Sequence, residues 1–567
     1  MRRSNGILRN KGSVSVPMDA ASQTTEPWYR STLAIALAGS LLLWAAHPPL
    51  AIGPLAWIAP LPWLLLIRRE NLPGRRPYRA IWLAGFAFWL MAIQWLRLPH
   101  PATSLGWLAL SAYLALYLPA FVGLSRVAVH VAGAPLWAAA PVAWTGLEFA
   151  RAHFLTGFLT ASLAHTQVRW TTLIQISDLV GEYGVGFVVM TVAAAIASAA
   201  LVPRKPLALV PAALLLGAAM FYGHSRLGGA LDQQDARTIR VALIQGNSLA
   251  DWKADPSRER QIMDEYISLS ARAIELAGQQ GDGRPVDLVV WPETMFRSPL
   301  ITFEPGYQLP PHVSRTPQEI EAVGRQDLAG LVRQLGTAAL VGIERAHFPG
   351  TASASADQPP PLRYNSAVLV GPDGNILGSY DKIHRVLFGE YIPLADWFPA
   401  LYRFTPLTGG IEAGDAAVAL ELDGVNYAPN ICYETTLPHV IRRQIASLRA
   451  QGKTPDVLVN LTNDAWYWGS SALDMHLASG VFRAVETRRP LVIAANGGIS
   501  AWIDHAGRIR QQSARQQTDV ILADVQRSAM HSAYCRLGDW FAGLCLGACV
   551  VFSLIGAARY KTLKACP

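Results

Sequence analysis

The chain has 567 residues, of which 51% are hydrophobic and only 16% are charged, and its formal net charge is +8 at pH 7. This composition is too apolar for a soluble multi-domain protein of ordinary charge content. It also argues against nucleic-acid binding, because the basic residues form no stripe interleaved with aromatic side chains. Long apolar runs lie between positions 32 and 222 and between 540 and 557, which predicts a membrane region on each side of a soluble one.

The amino-terminal segment, residues 1–31, is mostly polar and carries several basic residues. It lacks the apolar core and the small-residue cleavage site of a secretory signal. We therefore predict a basic tail that stays attached to the chain.

Eight apolar segments come near the roughly 20 residues that a helix needs to cross a bilayer. The first two are short and are joined by His47-Pro48-Pro49, so a broken hairpin that does not cross fully is the alternative for them. The predicted spans are 32–46, 52–67, 80–96, 105–124, 134–148, 184–201, 207–222 and 540–557.

Basic residues gather in alternate connections: the amino-terminal tail, the second-to-third connection, the sixth-to-seventh connection and the segment after the last span. Because Lys and Arg favour the cytoplasmic side of a membrane, we predict that both termini are cytoplasmic and that the soluble region is extracytoplasmic. The predicted domains are a tail (1–31), a bundle of about seven spans (32–222), a catalytic domain (223–535), a last span (536–558) and a second tail (559–567).

In the soluble region, short β-branched runs alternate with longer amphipathic stretches, which predicts a layered α/β domain. The segment 349–362 is rich in Ser, Ala and Pro and predicts a surface loop. The predicted strands are 239–245, 287–290, 338–342, 366–370, 416–420, 457–460 and 491–494, and the predicted helices are 256–279, 318–335, 439–451 and 473–487.

Three reactive side chains follow or lie near predicted strand ends. Cys432 is the only cysteine before Tyr534, Glu293 follows a strand-like run, and Lys382 lies in Tyr380-Asp381-Lys382-Ile383-His384. Acyl transfer through a thiol needs a nucleophile, a base and a group that stabilises the oxyanion. A thiol, an acid and an amine supply these three functions.

Each residue alone also has a simpler interpretation. Cys432 is then a small buried hydrophobe, Glu293 a hydrogen-bonded carboxylate at a strand end, and Lys382 a solvated turn residue paired with Asp381. His384 has no matching Asp and no metal-ligand spacing, so we leave it out of the site. The sequence predicts no metal or other cofactor.

Six motifs occur in order along the soluble region. They are Trp291-Pro292-Glu293-Thr294, Tyr380-Asp381-Lys382, Phe388-Gly389-Glu390-Tyr391-Ile392-Pro393, Ile431-Cys432-Tyr433-Glu434, Asn463-Asp464-Ala465-Trp466 and Asn496-Gly497-Gly498-Ile499-Ser500. Together they resemble the apolipoprotein N-acyltransferase family, bacterial membrane enzymes of the nitrilase superfamily. The resemblance covers nearly the whole chain and includes segments near Glu148 and near Arg483. It implies a nitrilase-like αββα sandwich inserted before the last span of an α-helical bundle of about eight helices.

The resemblance also implies a reaction at the periplasmic face of the inner membrane. A phospholipid donates a fatty acyl chain to Cys432, and the thioester then acylates the α-amino group of the diacylglyceryl-cysteine at the N-terminus of an apolipoprotein. Glu293 is the expected general base, and Lys382 the expected stabiliser of thiolate and oxyanion. The supporting residues are Glu390, Tyr433 and Glu434.

Two aromatic groups are expected to border the site. Trp397 and Phe398 lie in the aromatic segment 391–404, and Trp466 and Tyr467 follow Asp464 and Ala465. Amphipathic rings are favourable at a membrane surface, so both groups predict a lid or edge that keeps water from the thioester. A core segment that folds back is the alternative for 391–404.

Two other classes of function remain open from the sequence. A membrane-anchored amidase acting on a small amide would use the same three residues, but it needs one anchor rather than eight spans. A transporter or sensor would use Glu148 and Arg151, near a span end, as part of a polar pathway.

Overall fold

The computed structural model describes residues 31–201, 206–229, 238–250, 255–310, 312–350, 360–395, 397–404, 409–528 and 530–565. The basic tail, most of the predicted loop 349–362 and the carboxyl-terminal residues 566 and 567 lie outside this part of the chain.

The first region is α-helical and is rich in Leu, Ala and Trp. Its first helix begins at an N-cap, where the Ser31 side chain accepts a hydrogen bond from the Ala34 backbone N–H. The helices are α1 (Thr32–Ala46), α2 (Leu61–Arg68), α3 (Pro77–Ala92), α4 (Thr103–Leu114), α5 (Tyr117–His130), α6 (Leu136–His153), α7 (Thr171–Ile174), α8 (Ser177–Val180), α9 (Glu182–Leu201) and α10 (Val210–Gly229).

Four helical segments of the described chain are long and apolar enough to cross a membrane: Thr103–His130, Glu182–Ala200, Leu207–Gly228 and Trp540–Thr562. They coincide with four of the eight predicted spans. Three of the other four are shorter or interrupted, and the fifth predicted span lies in α6, which has 18 residues but includes Glu148 and Arg151. The predicted second span, for example, consists of a 3₁₀ turn at Gly53–Trp57 followed by the eight-residue helix α2.

The second region contains all thirteen strands of the described chain. They are β1 (Thr238–Gln245), β2 (Leu288–Val290), β3 (Phe296–Phe303), β4 (Ala338–Phe348), β5 (Leu362–Val370), β6 (Ile376–Asp381), β7 (Leu420–Leu422), β8 (Val425–Ile431), β9 (Val457–Asn463), β10 (Leu491–Asn496), β11 (Ala501–Ile503), β12 (Ile509–Gln512) and β13 (Asp519–Gln526). The remaining helices are α11 (Pro256–Gln279), α12 (Pro317–Leu335), α13 (Pro438–Ala450), α14 (Ala472–Thr487), α15 (Ala533–Leu537) and α16 (Trp540–Ala565).

The strands form two sheets. The first has the order β13-β1-β2-β4-β5-β6, with β3 paired to β4, and the second has the order β12-β11-β10-β9-β8-β7. Strands β1, β2 and β4 are parallel to one another, as are β8, β9 and β10. Residues that follow parallel strands therefore collect at one edge of each sheet, where ligands commonly bind in α/β folds.

Side chains alternate between the two faces of each strand and so define the layers. In β1, Val241 and Leu243 belong to the core between the sheets, which also contains Val459 of β9. Ala242 and Ile244 point the other way and pack with residues of α11 and α12. The outer face of the second sheet packs against α13 and α14. This arrangement confirms the predicted αββα sandwich, with α16 following it as a separate apolar helix.

The predicted strand at 416–420 is wrong in position, because the strand begins only at Leu420. A two-residue Asp423-Gly424 turn connects β7 to β8, and both residues have positive φ angles. Asp-Gly favours such hairpin turns, and the turn fixes the pairing of Leu422 with Val425. The apolar run before Leu420 therefore lies outside the ladder.

Helix α14 joins the sandwich to the membrane region through ion pairs. Arg483 Nη2 lies 2.6 Å from Glu182 Oε2, at the start of α9, and both side chains are fully buried. Arg488 Nη2 lies 2.7 Å from Asp178 Oδ2 in α8. A buried charge that loses its partner is costly, so these pairs fix how the two regions meet.

Candidate active site

The predicted reactive residues meet at the carboxyl ends of strands. Glu293 lies three residues after β2, Lys382 comes directly after β6, and Cys432 comes directly after β8. The two sheets face each other, so one pocket receives side chains from both.

Glu293 is held in a fixed orientation inside the protein. Only 6% of the residue is exposed. Asn365 Nδ2 donates a hydrogen bond to its Oε1 at 2.6 Å, and the Asn463 backbone N–H donates to its Oε2 at 2.8 Å. Burial raises the pKa of Glu293, although the Lys382 ammonium acts in the opposite direction. A raised pKa makes the carboxylate a stronger base.

Lys382 lies between two carboxylates and is 1% exposed. Its Nζ is 2.7 Å from Glu390 Oε1 and 3.6 Å from Glu293 Oε1. Burial alone would favour the neutral amine, but the Glu390 and Glu293 carboxylates keep the pKa of Lys382 well above its ordinary value. Lys382 is therefore a fixed cation beside the thiol.

Cys432 begins a short 3₁₀ turn, Cys432–Thr436, and has a φ angle of 54°. Burial and the nearby Glu293 carboxylate raise the pKa of the half-buried thiol well above its ordinary value, whereas Lys382 lowers it. The resting cysteine is therefore a thiol rather than a thiolate. It needs a base to become nucleophilic, and Glu293 is the carboxylate with the largest influence on it.

Glu434 is fully buried and connects the strand ends that carry Lys382 and Cys432. Its carboxylate accepts hydrogen bonds from the backbone N–H groups of Ile383 and His384, both at 2.9 Å, and of Ile431 at 2.7 Å. The Tyr380 hydroxyl donates a further bond. Because its contacts are all structural, Glu434 supports the pocket by holding two loops together.

The other two supporting residues also make defined contacts. Glu390 Oε2 accepts a hydrogen bond from the Val386 N–H at 2.7 Å, so the segment after Lys382 folds back to place this carboxylate on Nζ. The Tyr433 hydroxyl donates to the Gly157 carbonyl at 2.8 Å, in the connection after α6. The residue next to Cys432 thus contacts the membrane region directly.

The predicted lid residues fall into two environments. Trp397 and Phe398 are 77% and 60% exposed. Tyr467 instead packs edge-on against Trp95 of the membrane region, with ring centroids 4.9 Å apart. Trp466 is half-buried beside it. The proposed role of these aromatic residues in excluding water stays a prediction.

Asn365 and Asn460 are part of the site, although our sequence analysis did not select them. Asn365 orients Glu293, and Asn460 Nδ2 donates to Asn430 Oδ1 at 2.8 Å, just before the turn that begins with Cys432. Asn460 interrupts the apolar run Val457–Leu461 of β9, and Asn365 lies close to the apolar end of β5. A polar amide inside an apolar strand is the signal that would have indicated them, because buried amides need partners.

Among the described residues, no group of three or more His, Cys, Asp or Glu side chains has the arrangement of a metal site. The side chains of this pocket offer nucleophilic and acid–base chemistry around a fixed ammonium group.

Gly342 of β4 sets the position of the Glu293 segment. A Cβ atom at this position would lie 2.7 Å from Glu293 Cα and closer still to the Pro292 carbonyl oxygen. We expect Gly342→Ala to displace Glu293 and to lower the melting temperature, since overpacking typically costs about 1–3 kcal/mol.

Gly330→Ala is the matched control, because Gly330 belongs to helix α12 and nothing lies within 4 Å of a Cβ atom added at this position. It should leave stability unchanged or raise it. Equal melting temperatures for the two variants would contradict this account.

Comparison with known proteins agrees with this architecture. The family model for the apolipoprotein N-acyltransferase N-terminal domain matches residues 39–195, and the carbon-nitrogen hydrolase model matches residues 240–534. The apolipoprotein N-acyltransferase of Rhodopirellula baltica is 34% identical over 559 residues, covering 91% of this chain and 95% of that protein. The protein of the same name from Geobacter metallireducens is 35% identical over 553 residues, covering 93% and 96%.

Among solved structures, an amidase from Nesterenkonia sp. aligns with 52% of this chain and 92% of its own, at 18% identity and a TM-score of 0.34. A carbon-nitrogen hydrolase domain that follows an apolar helical region defines a membrane enzyme of the acyltransferase type. The chain belongs to the apolipoprotein N-acyltransferase family.

Proposed function

We propose that the protein transfers a fatty acyl chain from a phospholipid to the α-amino group of the N-terminal diacylglyceryl-cysteine of an apolipoprotein, through a thioester on Cys432. The observation that carries this proposal is the buried cluster in which Lys382 Nζ contacts both Glu390 and Glu293 beside the thiol. The names of the full-length relatives support the apolipoprotein as acceptor.

In the first half-reaction, Glu293 takes the proton of the Cys432 thiol, and the thiolate attacks the ester carbonyl of the phospholipid. The negative charge that develops on the carbonyl oxygen is stabilised by the Lys382 ammonium. The ester C–O bond then breaks, and the lysophospholipid oxygen leaves with the proton from Glu293. The products are acyl-Cys432 and a lysophospholipid.

In the second half-reaction, the neutral α-amine of the apolipoprotein attacks the thioester. The C–S bond breaks, Cys432 leaves as a thiolate, and the proton that the nitrogen loses passes through Glu293 back to sulfur. An amine attacks a thioester readily, so an amide forms from a less reactive ester in two easier steps. The proposal therefore requires ping-pong kinetics.

The amidase alternative has less support. Its substrate would be a small amide, whereas two relatives named apolipoprotein N-acyltransferase match this chain over more than 90% of their own length. The apolar helical region, which contacts the site at Tyr433 and Tyr467, also suits a lipid donor better than a water-soluble amide.

Intact-protein mass measurement after incubation with phospholipid tests the chemistry. We expect a mass increase equal to one long acyl chain, located on Cys432 by peptide mapping, and its disappearance when a diacylglyceryl-cysteine peptide is added. Cys432→Ser should show no such adduct, and Cys535→Ser should behave like the unmodified protein. A folded protein that carries the chain on another residue, or that carries none, would overturn the proposal.

We further propose that the protein lies in the bacterial inner membrane with the catalytic domain on the periplasmic side. The alternating basic connections support this orientation. A reporter fused after Arg226 should be extracytoplasmic, and one fused after Lys564 should be cytoplasmic. If both fusions report the cytoplasm, the number of crossings is wrong.

A further inference from the structure

The backbone of Cys432 adopts a conformation that residues with a side chain rarely take. Its φ angle is 54°, in the left-handed region. This conformation costs free energy for any residue with a Cβ atom, so surrounding contacts must hold it. If those contacts are lost, the residue relaxes toward ordinary φ values and the thiol points elsewhere. The contacts of this backbone segment therefore decide whether the nucleophile is aligned.

One contact comes from β9. Asn460 Nδ2 lies 3.3 Å from the Cys432 carbonyl oxygen. Asn460 is fully buried and its amide also bonds the side chain of Asn430, so its direction is fixed. A single bond of this length is weak support for a strained residue.

A second group faces the same backbone from α14. His476 has an 11% exposed side chain, and its Nδ1 lies 3.3 Å from Asp464 Oδ1. Helix α14 packs against the turn Cys432–Thr436, and the imidazole lies beside the backbone of Cys432. Its other nitrogen, Nε2, is buried and has no hydrogen-bond partner. The ring is thus anchored to Asp464 at Nδ1, next to the turn that begins with Cys432, with Nε2 left unpaired.

The anchor is itself well fixed. Asp464 Oδ1 accepts a hydrogen bond from Thr462 Oγ1 at 2.9 Å. The absence of a side chain at Gly498 leaves space for the other oxygen of this carboxylate, because a Cβ atom at position 498 would lie 2.5 Å from Asp464 Oδ2. Asp464 and Gly498, to which the two half-reactions assign no role, therefore both serve to place His476.

We propose that His476, held by Asp464, is a positioning residue that keeps the backbone of Cys432 in its left-handed conformation and so aligns the thiol for acyl transfer. In this arrangement Nε2 carries a proton that it donates to the Cys432 carbonyl oxygen, which supplements the long Asn460 contact. The inference rests on the proposed function, since it assigns Cys432 as the nucleophile. Misalignment of a reacting atom by about 1 Å can lower a rate by about 10²-fold.

The test measures single-turnover acylation of Cys432 by labelled phospholipid in the full-length protein. We expect His476→Leu to lower the maximal rate by about 10²-fold while the phospholipid concentration at half-maximal rate stays the same. His476→Gln keeps a hydrogen-bond donor at this position, so it should acylate at least tenfold faster than His476→Leu. Asp464→Asn, which keeps the shape but removes the charge, should fall between the two.

A role in packing alone gives a different pattern. If His476 only fills a buried space, Leu fills that space at least as well as Gln. Acylation of His476→Leu at a rate equal to or higher than that of His476→Gln would therefore overturn the proposal. His505→Leu is the matched control, because His505 is also a buried histidine whose Nε2 lacks a partner. It should acylate at the unmodified rate. Melting temperatures measured on all variants identify any that fail to fold. If a His476 variant fails to fold, the acylation rate of Asp464→Asn decides between a positioning role and a packing role.

Failure of the inference differs from failure of the proposed function. If the unmodified protein forms no acyl-Cys432, the proposed function is wrong. If the unmodified protein forms it and His476→Leu forms it equally fast, only the positioning role is wrong.

Discussion

Glu293→Gln is expected to lower the rate of Cys432 acylation by about 10²–10⁴-fold, the range for loss of one positioned acid or base. The amide has the size of the carboxylate and can still accept the Asn365 hydrogen bond, but it cannot take the thiol proton. Burial raises the pKa of the Cys432 thiol well above its ordinary value, so formation of the thiolate needs a base, and Glu293 is the carboxylate with the largest influence on the thiol. The measurement is a single-turnover assay with labelled phospholipid and no acceptor.

Glu421→Gln is a suitable control, since Glu421 is an exposed residue of β7 in the same domain. It should acylate at the unmodified rate. If Glu293→Gln acylates normally and fails only when the amine acceptor is added, Glu293 acts in the second half-reaction alone, and our assignment of the first base is wrong.

Lys382→Met is expected to have two large effects. Removing the ammonium takes away the group that stabilises the oxyanion, which typically costs about 10²–10³ in rate. It also leaves Glu293 and Glu390 as buried carboxylates without their cation, and breaking a buried ion pair costs about 3–5 kcal/mol of stability. We therefore expect a lower melting temperature together with very slow acylation.

A double variant separates these two effects. Lys382→Met with Glu390→Gln removes one of the unpaired charges, so part of the lost stability should return. Acylation should stay slow, because the cation beside the thiol is still missing. If acylation returns together with stability, Lys382 serves only as a structural counter-ion.

The sequence predicted the helices of the sandwich well because their patterns are local. Helix α11 begins and ends at the predicted residues, 256 and 279, since Asp255 caps its first turn and apolar residues recur along one face. Strand β7 was misplaced because its position depends on the turn at Asp423-Gly424 rather than on its own apolar run. Strand β3 was not predicted, because it contains Pro299 and pairs only with β4.

The same distinction applies to the site. Glu293, Lys382 and Cys432 were selected because each lies in a recognisable motif near a strand end. Glu390 came with the motif, but its contact with Nζ depends on the chain folding back between 382 and 390. Asn365 and His476 were not selected, because their partners are Glu293 and Asp464 and only the folded chain joins them. A polar residue in an apolar stretch indicates that a partner is needed, but it does not indicate which distant segment supplies that partner.

The ion pair between Arg483 and Glu182 limits which fragments of this protein can retain an intact active site. Arg483 also directs Nη1 toward the Thr435 carbonyl, 3.4 Å away, in the turn that begins with Cys432. A water-soluble fragment starting at β1 would lack Glu182, would uncover the apolar side of α14 and would leave the buried Arg483 guanidinium with Glu486 alone as its counter-charge, close to Cys432. Structural and inhibitor studies of this active site therefore need the full-length chain in a detergent or bilayer that keeps α8 and α9 folded.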